Sequence, residues 1–196
     1  VWKNLMSAFN SFFFDNIFYA QSARQFPDST ELAGFLGIYL GILGVLTLIT
    51  SSLFTGRVIA ALGPRVSLLI LPLGLLAGAL IMAGNIMLGG PFIVLFVAAV
   101  ASRVWGVWIG FSIDQSARSI LYQPLPPQTR TRVQMAADGI AQPFAIGLAG
   151  IAMLALGALF PGQTPPLVLG AVVLSAVLIG IALLASHGYA RSLLEA

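Results

Sequence analysis

Two ionisable residues stand in apolar surroundings: Asp15 within SFFFDNIFYA and Arg103 within AAVASRVWGV. A carboxylate in such a place can gate or couple a transport step. A guanidinium there can bind an anion, lock onto a carboxylate, or snorkel to the surface. Each sits on a polar or small-residue stripe. Asn4, Ser7, Ser11, Asp15 and Ser22 are spaced 3, 4, 4 and 7, so on a helix they share one face. Ala99, Arg103, Gly106, Gly110 and Asp114 do the same. Near mid-helix an Arg costs about 2.5–3.5 kcal/mol on insertion scales unless it finds water or a partner. The two charges lie at depths that differ by about 5 Å, so pairing is geometrically allowed. Both stripes therefore point to a hydrated interior surface, with Asp15, Arg103, Ser7 and Ser11 as its candidate residues. Trp105 joins them as a ring that could stack on a base or simply pack.

The elements that position these residues follow from composition. Of 196 residues, 59% are hydrophobic and only 8% charged, far from the roughly 25% charged of a soluble domain. Several apolar runs reach spanning length, so the chain is expected to be an all-α integral membrane protein rather than a barrel of short alternating strands. Six spans are expected: 2–21, 31–55, 66–88, 92–113, 136–159 and about 166–186. Asp28-Ser29-Thr30-Glu31 has capping-box character ahead of the second, and Gly89-Gly90-Pro91 makes a tight connection between the third and fourth. Residues 114–135 are expected to be a cytoplasmic loop, since Pro124, Pro126 and Pro127 forbid a continuous helix. The whole is one membrane domain: four spans over 1–113, the loop, then two spans and a tail over 136–196. Val1 leads directly into a hydrophobic segment, and the chain is expected to be a piece of a longer protein.

The basic residues divide unevenly. Lys3, Arg57, Arg65, Arg118, Arg130, Arg132 and Arg191 fall at one membrane face and Arg24 at the other, which puts both termini in the cytoplasm. The net charge of +3 reflects this topology rather than nucleic-acid binding, because the basic residues are spread through the loops. No cysteine is present, so disulfides and thiolate metal sites are excluded. Neither a metal nor another cofactor is implied. No catalytic motif occurs and His187 stands alone, so no enzymatic activity is expected.

Along the six spans the character runs polar, small, lipid-like, and then repeats. The second span carries Gly34, Gly37, Gly41 and Gly44, and the fifth Gly139, Gly147, Gly150 and Gly157, stripes that suit close backbone packing. The third and sixth are apolar all round, as helices against lipid are. Three is odd, so the second triplet enters from the opposite side, which makes a 3+3 inverted repeat. That pattern resembles one six-helix half of a major facilitator transporter. Gly56-Arg57 and Gly63-Pro64-Arg65 look like a degraded facilitator loop motif. LAGFLGIYLGI, LLILPLGLL and SIDQSARSILYQPLPPQTRTRVQMAADG resemble the C-terminal half of the ATP/ADP translocase-like nucleotide transporters, with the segment from Tyr122 to Asp138 as the identifiable core.

The resemblance implies a half-transporter in a bacterial inner membrane, moving an anionic solute such as a nucleotide or another phosphorylated metabolite by alternating access. Its partners would be the missing N-terminal six-helix half, the lipid bilayer and the small anion, with no nucleic-acid polymer. Gly56, Arg57, Gly63 and Arg65, with Asp114, Arg118, Arg130, Arg132 and Asp138, would form a cytoplasmic gate of helix caps and ion pairs. The alternative is a transport-silent anchor or signalling domain attached to cytoplasmic domains. Gln134 in place of a basic residue, and Lys3 as the only lysine, favour that alternative.

Overall fold

The computed structural model describes residues 2–121, 127–160 and 163–194; the side chains of Trp2, Asn4, Pro64, Arg65, Leu121, Pro127, Asp138 and 185–194 are outside the description. Among the described residues every regular element is helical: α1 (Trp2–Gln25), α2 (Ser29–Leu53), α3 (Thr55–Met87), α4 (Phe92–Ile109), α5 (Gln115–Leu121), α6 (Pro127–Gln134), α7 (Gln142–Leu159) and α8 (Pro165–Leu194). Two π-helical segments, Gly110–Asp114 and Met135–Ala141, join α4 to α5 and α6 to α7. Five stretches are long and apolar enough to cross a bilayer: Ser29–Leu53, Val66–Met87, Phe92–Ile120, Gln128–Leu159 and Pro165–Leu184. Such a set is compatible with an integral membrane protein.

The first of the six expected spans, α1, is absent from that set. It is 24 residues long, about 36 Å at 1.5 Å per residue, but rich in polar side chains. Several of those side chains face protein. Asn10, Gln21 and Ser22 are fully buried beside Ile17 and Phe18, because α4, α7 and α8 all pack around this helix. Between apolar helices in lipid there is no hydrophobic drive, so packing and interhelical hydrogen bonds hold them together. Asn10 Nδ2 donates to Ser175 Oγ of α8 at 3.1 Å, and Trp108 Nε1 to Thr50 Oγ1 of α2 at 2.8 Å.

Local chemistry sets the element ends. Asp28 accepts from the Thr30 and Glu31 backbone N–H groups at 2.8 and 3.1 Å, the cap expected for α2. Gly89, at φ +61°, turns the chain out of α3. The Gly90 N–H then closes on the Asn85 carbonyl at 2.8 Å, a left-handed helix stop that glycine adopts without strain. Gly63 breaks α3 internally at φ +75°, ψ 160°. Pro64 pushes its predecessor out of helical geometry, and only glycine takes that region readily.

Two expectations need correction. Residues 114–135 are not a long loop: the fourth span continues through its π segment to Leu121, and helix resumes at Pro127. Pro127 stands in the first turn of α6, where a proline loses no intrahelical hydrogen bond, so helix is described up to Leu121 and again from Pro127, with 122–126 between them. Those five residues lie outside the description, and with them Tyr122 to Leu125 of the resemblance.

The close-packing glycines are also not those expected. Gly34, Gly37, Gly41, Gly44, Gly139, Gly147, Gly150 and Gly157 have no atom within 4 Å of where a Cβ would stand. Contact occurs on the two featureless helices. A Cβ on Gly74 would lie 2.0 Å from Trp105 Nε1, one on Gly78 2.0 Å from Ser102 Oγ, and one on Gly170 2.3 Å from Phe13. Accordingly α3 and α8 pack extensively on each other and on α4 and α1. A helix apolar on every side suits a protein core as well as lipid, and here α3 and α8 each have a buried face and an exposed apolar one.

Candidate functional site

The site is built on α1 and α4, which run antiparallel along their whole length: Lys3 meets Asp114, Asp15 meets Arg103, and Arg24 covers the Phe92 ring. Arg103 Nε lies 2.7 Å from Asp15 Oδ1, so the pairing allowed by the sequence is present. It is a close charge contact with the N–H turned off the line of a hydrogen bond. Both side chains are partly open, 21% for Arg103 and 29% for Asp15. The guanidinium makes no hydrogen bond through its Nη atoms among the described residues, and Arg103 lines a cavity of about 600 Å³.

That cavity gathers much of what the stripes promised. Ser7 and Ser11 line it from α1, and Arg103, Gly106, Gly110 and Asp114 from α4 and its π segment. Arg118, Gln134 and Gln142 close it near the Lys3 end. A π turn re-aims the side chains that follow it, and such turns cluster at functional sites. The one at Gly110–Asp114 brings Asp114 fully inside. At 1% exposure its carboxylate touches Lys3 Nζ through Oδ1, and Arg118 Nε lies 3.1 Å from Oδ2. Two cations compensate one deeply buried anion, which is what its desolvation demands.

Sequence reasoning missed the role of Lys3, which it counted only as a topology signal. The usable clue was a similar base-to-acid spacing, twelve residues from Lys3 to Asp15 on one helix and eleven from Arg103 to Asp114 on the other. It also missed Tyr39, on the opposite face of α2 from Gly37 and Gly41. Tyr39 lines the cavity at 9% exposure, its ring lies tilted against Phe18 with centroids 4.8 Å apart, and its hydroxyl has no partner among the described residues.

Several expected site residues lie elsewhere. Trp105 does not face the cavity; its Nε1 reaches the Ile70 carbonyl at 3.3 Å and its ring fills the space over Gly74. A flat ring beside a glycine packs two helices closely, so the packing alternative applies. Of the expected gate, Asp114 and Arg118 come together. Gly56 and Arg57 are exposed on the short helical piece before the Gly63 break, and Arg57 has no ion pair among the described residues. Arg130 is half-buried and Arg132 exposed on α6, likewise without ion pairs there. The Arg65 and Asp138 side chains fall outside the description. Compared with known protein families, curated proteins and solved structures, the chain matches none of them.

Proposed function

We propose that this chain is one six-helix half of a major-facilitator-type secondary transporter, carrying an anionic solute by alternating access. The observation that carries this reading is Arg103: its contact with Asp15 is through Nε, its Nη edge makes no hydrogen bond among the described residues, and the residue lines a cavity of about 600 Å³ with both polar and apolar walls. That edge is a ready fork for a carboxylate or phosphate. Opposite-charge pairs at two levels of α1 and α4 would let one end of the cavity open while the other stays latched.

Two further features support a 3+3 inverted repeat. The principal packing pairs exchange: α1 packs on α7 and α8 as α4 packs on α2 and α3, while α3·α8 and α1·α4 map onto themselves. The glycine stripes of α2 and α7 meet no atom within 4 Å of a Cβ position among the described residues, and a second six-helix bundle seated there would complete the cavity wall. Lys3, Arg57, Arg118, Arg130 and Arg132 against Arg24 orient both termini to the cytoplasm, and a bacterial inner membrane suits that reading. Nucleotides and simpler phosphorylated metabolites are the solute classes to test. The reading requires no cofactor and assigns no enzymatic step.

The test is uptake of labelled ATP, ADP and inorganic phosphate into proteoliposomes holding the full-length protein, beside Arg103→Ala. Flux above empty vesicles that disappears in the variant supports the proposal. Equal counts in wild type, variant and empty vesicles overturn it in favour of a transport-silent anchor.

A further inference from the structure

A second cavity, of about 280 Å³, lies between α1, α7 and α8 at the end of the bundle away from Lys3. Its walls divide by chemistry. Gln21, Arg24, Gln163 and Thr164 supply polar groups, while Met153, Leu156 and Leu167 supply apolar surface. Gln21 is fully buried; its Nε2 donates to Thr164 Oγ1 at 3.1 Å, yet its Oε1 has no partner among the described residues. A buried amide oxygen left without a donor is costly, and native interiors rarely tolerate one that nothing fills. Arg24 is exposed, with its guanidinium 5.1 Å from the centre of the Phe92 ring.

The surrounding architecture suits an amphiphile. Consecutive helices α7 and α8 hardly touch each other, whereas both pack on α1, which leaves a cleft over α1. The lining comes from the last turns of α1 and α7 and the first of α8, and helix ends lie at head-group level when such helices cross a bilayer. We propose that this cleft binds a phospholipid, with the phosphate on Arg24, a head-group N–H or O–H donated to Gln21 Oε1, and an acyl chain along Met153, Leu156 and Leu167. A free phosphate would leave the apolar wall unused. The inference needs only that these helices cross a bilayer, and stands apart from the transport proposal.

Native mass spectrometry of the full-length protein, delipidated in detergent, provides the test. The probes are palmitoyl-oleoyl phosphatidylethanolamine, phosphatidylglycerol and phosphatidylcholine, with glycerol 3-phosphate as the soluble arm. Choline carries no N–H or O–H, so phosphatidylethanolamine and phosphatidylglycerol should bind roughly tenfold tighter than phosphatidylcholine. Arg24→Ala, at an exposed position, should weaken all three, whereas Arg57→Ala should leave binding intact. Gln21→Met should erase the preference between head groups. Equal binding of phosphatidylcholine, indifference to Arg24→Ala, or glycerol 3-phosphate binding as tightly as lipid would each overturn the proposal.

Discussion

Lys3 and Asp114, 111 positions apart, form an ion pair that repeats the Asp15–Arg103 pair with the charges exchanged between helices. On α1 the order is base then acid, and on α4 it is again base then acid. Because the helices are antiparallel, each base meets the other helix's acid. The two contacts are about 18 Å apart along α1, twelve residues at 1.5 Å each. Such an arrangement fixes both the register and the direction of the pair.

Exchanging the partners tests that register. Asp15→Asn or Arg103→Gln alone should destabilise the protein by about 1–3 kcal/mol, less than for a fully buried pair because both side chains are partly open. The exchanged double variant Asp15→Arg/Arg103→Asp should recover most of that loss. Unfolding in mixed micelles, read as a double-mutant cycle, gives the coupling. Additive losses would mean the two charges do not sense each other.

Removing Asp114 should cost more than removing Lys3. Asp114→Leu leaves Lys3, at 10% exposure, without its counter-charge, a loss of about 3–5 kcal/mol. Lys3→Met leaves Asp114 still beside Arg118, so a smaller effect of about 1–2 kcal/mol is expected. Denaturant unfolding of the two variants side by side checks the order, and a reversed order would contradict the geometry.

Glycines of similar sequence context should respond in opposite directions. Gly74→Ala drives a Cβ into Trp105 and should lower stability by roughly 1–3 kcal/mol. Gly63→Ala, at φ +75°, should cost a comparable amount through backbone strain. Gly37→Ala and Gly41→Ala meet open space and should stabilise the chain by about 0.5–1 kcal/mol each. If a second bundle seats on that stripe, the same two substitutions should weaken its association, measured by crosslinking or size-exclusion chromatography.

Asp28 gives a pH dependence whose sign is fixed. Hydrogen bonds from the Glu31 and Thr30 backbone N–H groups hold its carboxyl below the ordinary value of 3.8. A carboxyl depressed in the folded state stabilises fully above its unfolded value, and the contribution fades as pH falls through the folded one. Wild type should therefore exceed Asp28→Ala in thermal stability at pH 7, with the gap closing below about pH 4. A gap independent of pH would remove the charge from the cap's role.

Much of this was legible in the residues themselves. Spacing put Ser7, Ser11 and Asp15 on one face and Arg103, Gly110 and Asp114 on another, because helical periodicity is a local property of the backbone. Asp28 announced its cap and Gly89-Gly90-Pro91 its turn for the same reason. The long loop was misjudged because prolines mark a break without saying how far helix extends on either side. Gly74 and Gly78 looked inert beside the conspicuous stripe from Gly34 to Gly44. A glycine permits close approach, but which helix approaches is decided between elements.

Sequence alone determined the helical class, the apolar spans and the two stripes, since hydropathy and periodicity depend only on neighbours along the chain. Only the tertiary structure decided that Lys3 belongs to Asp114, that Trp105 turns from the cavity, and that α3 and α8 form the inner scaffold. Those outcomes depend on the rotation and antiparallel register of α1 against α4. Register is set by all the contacts of a packed interface together, and no single segment carries that information.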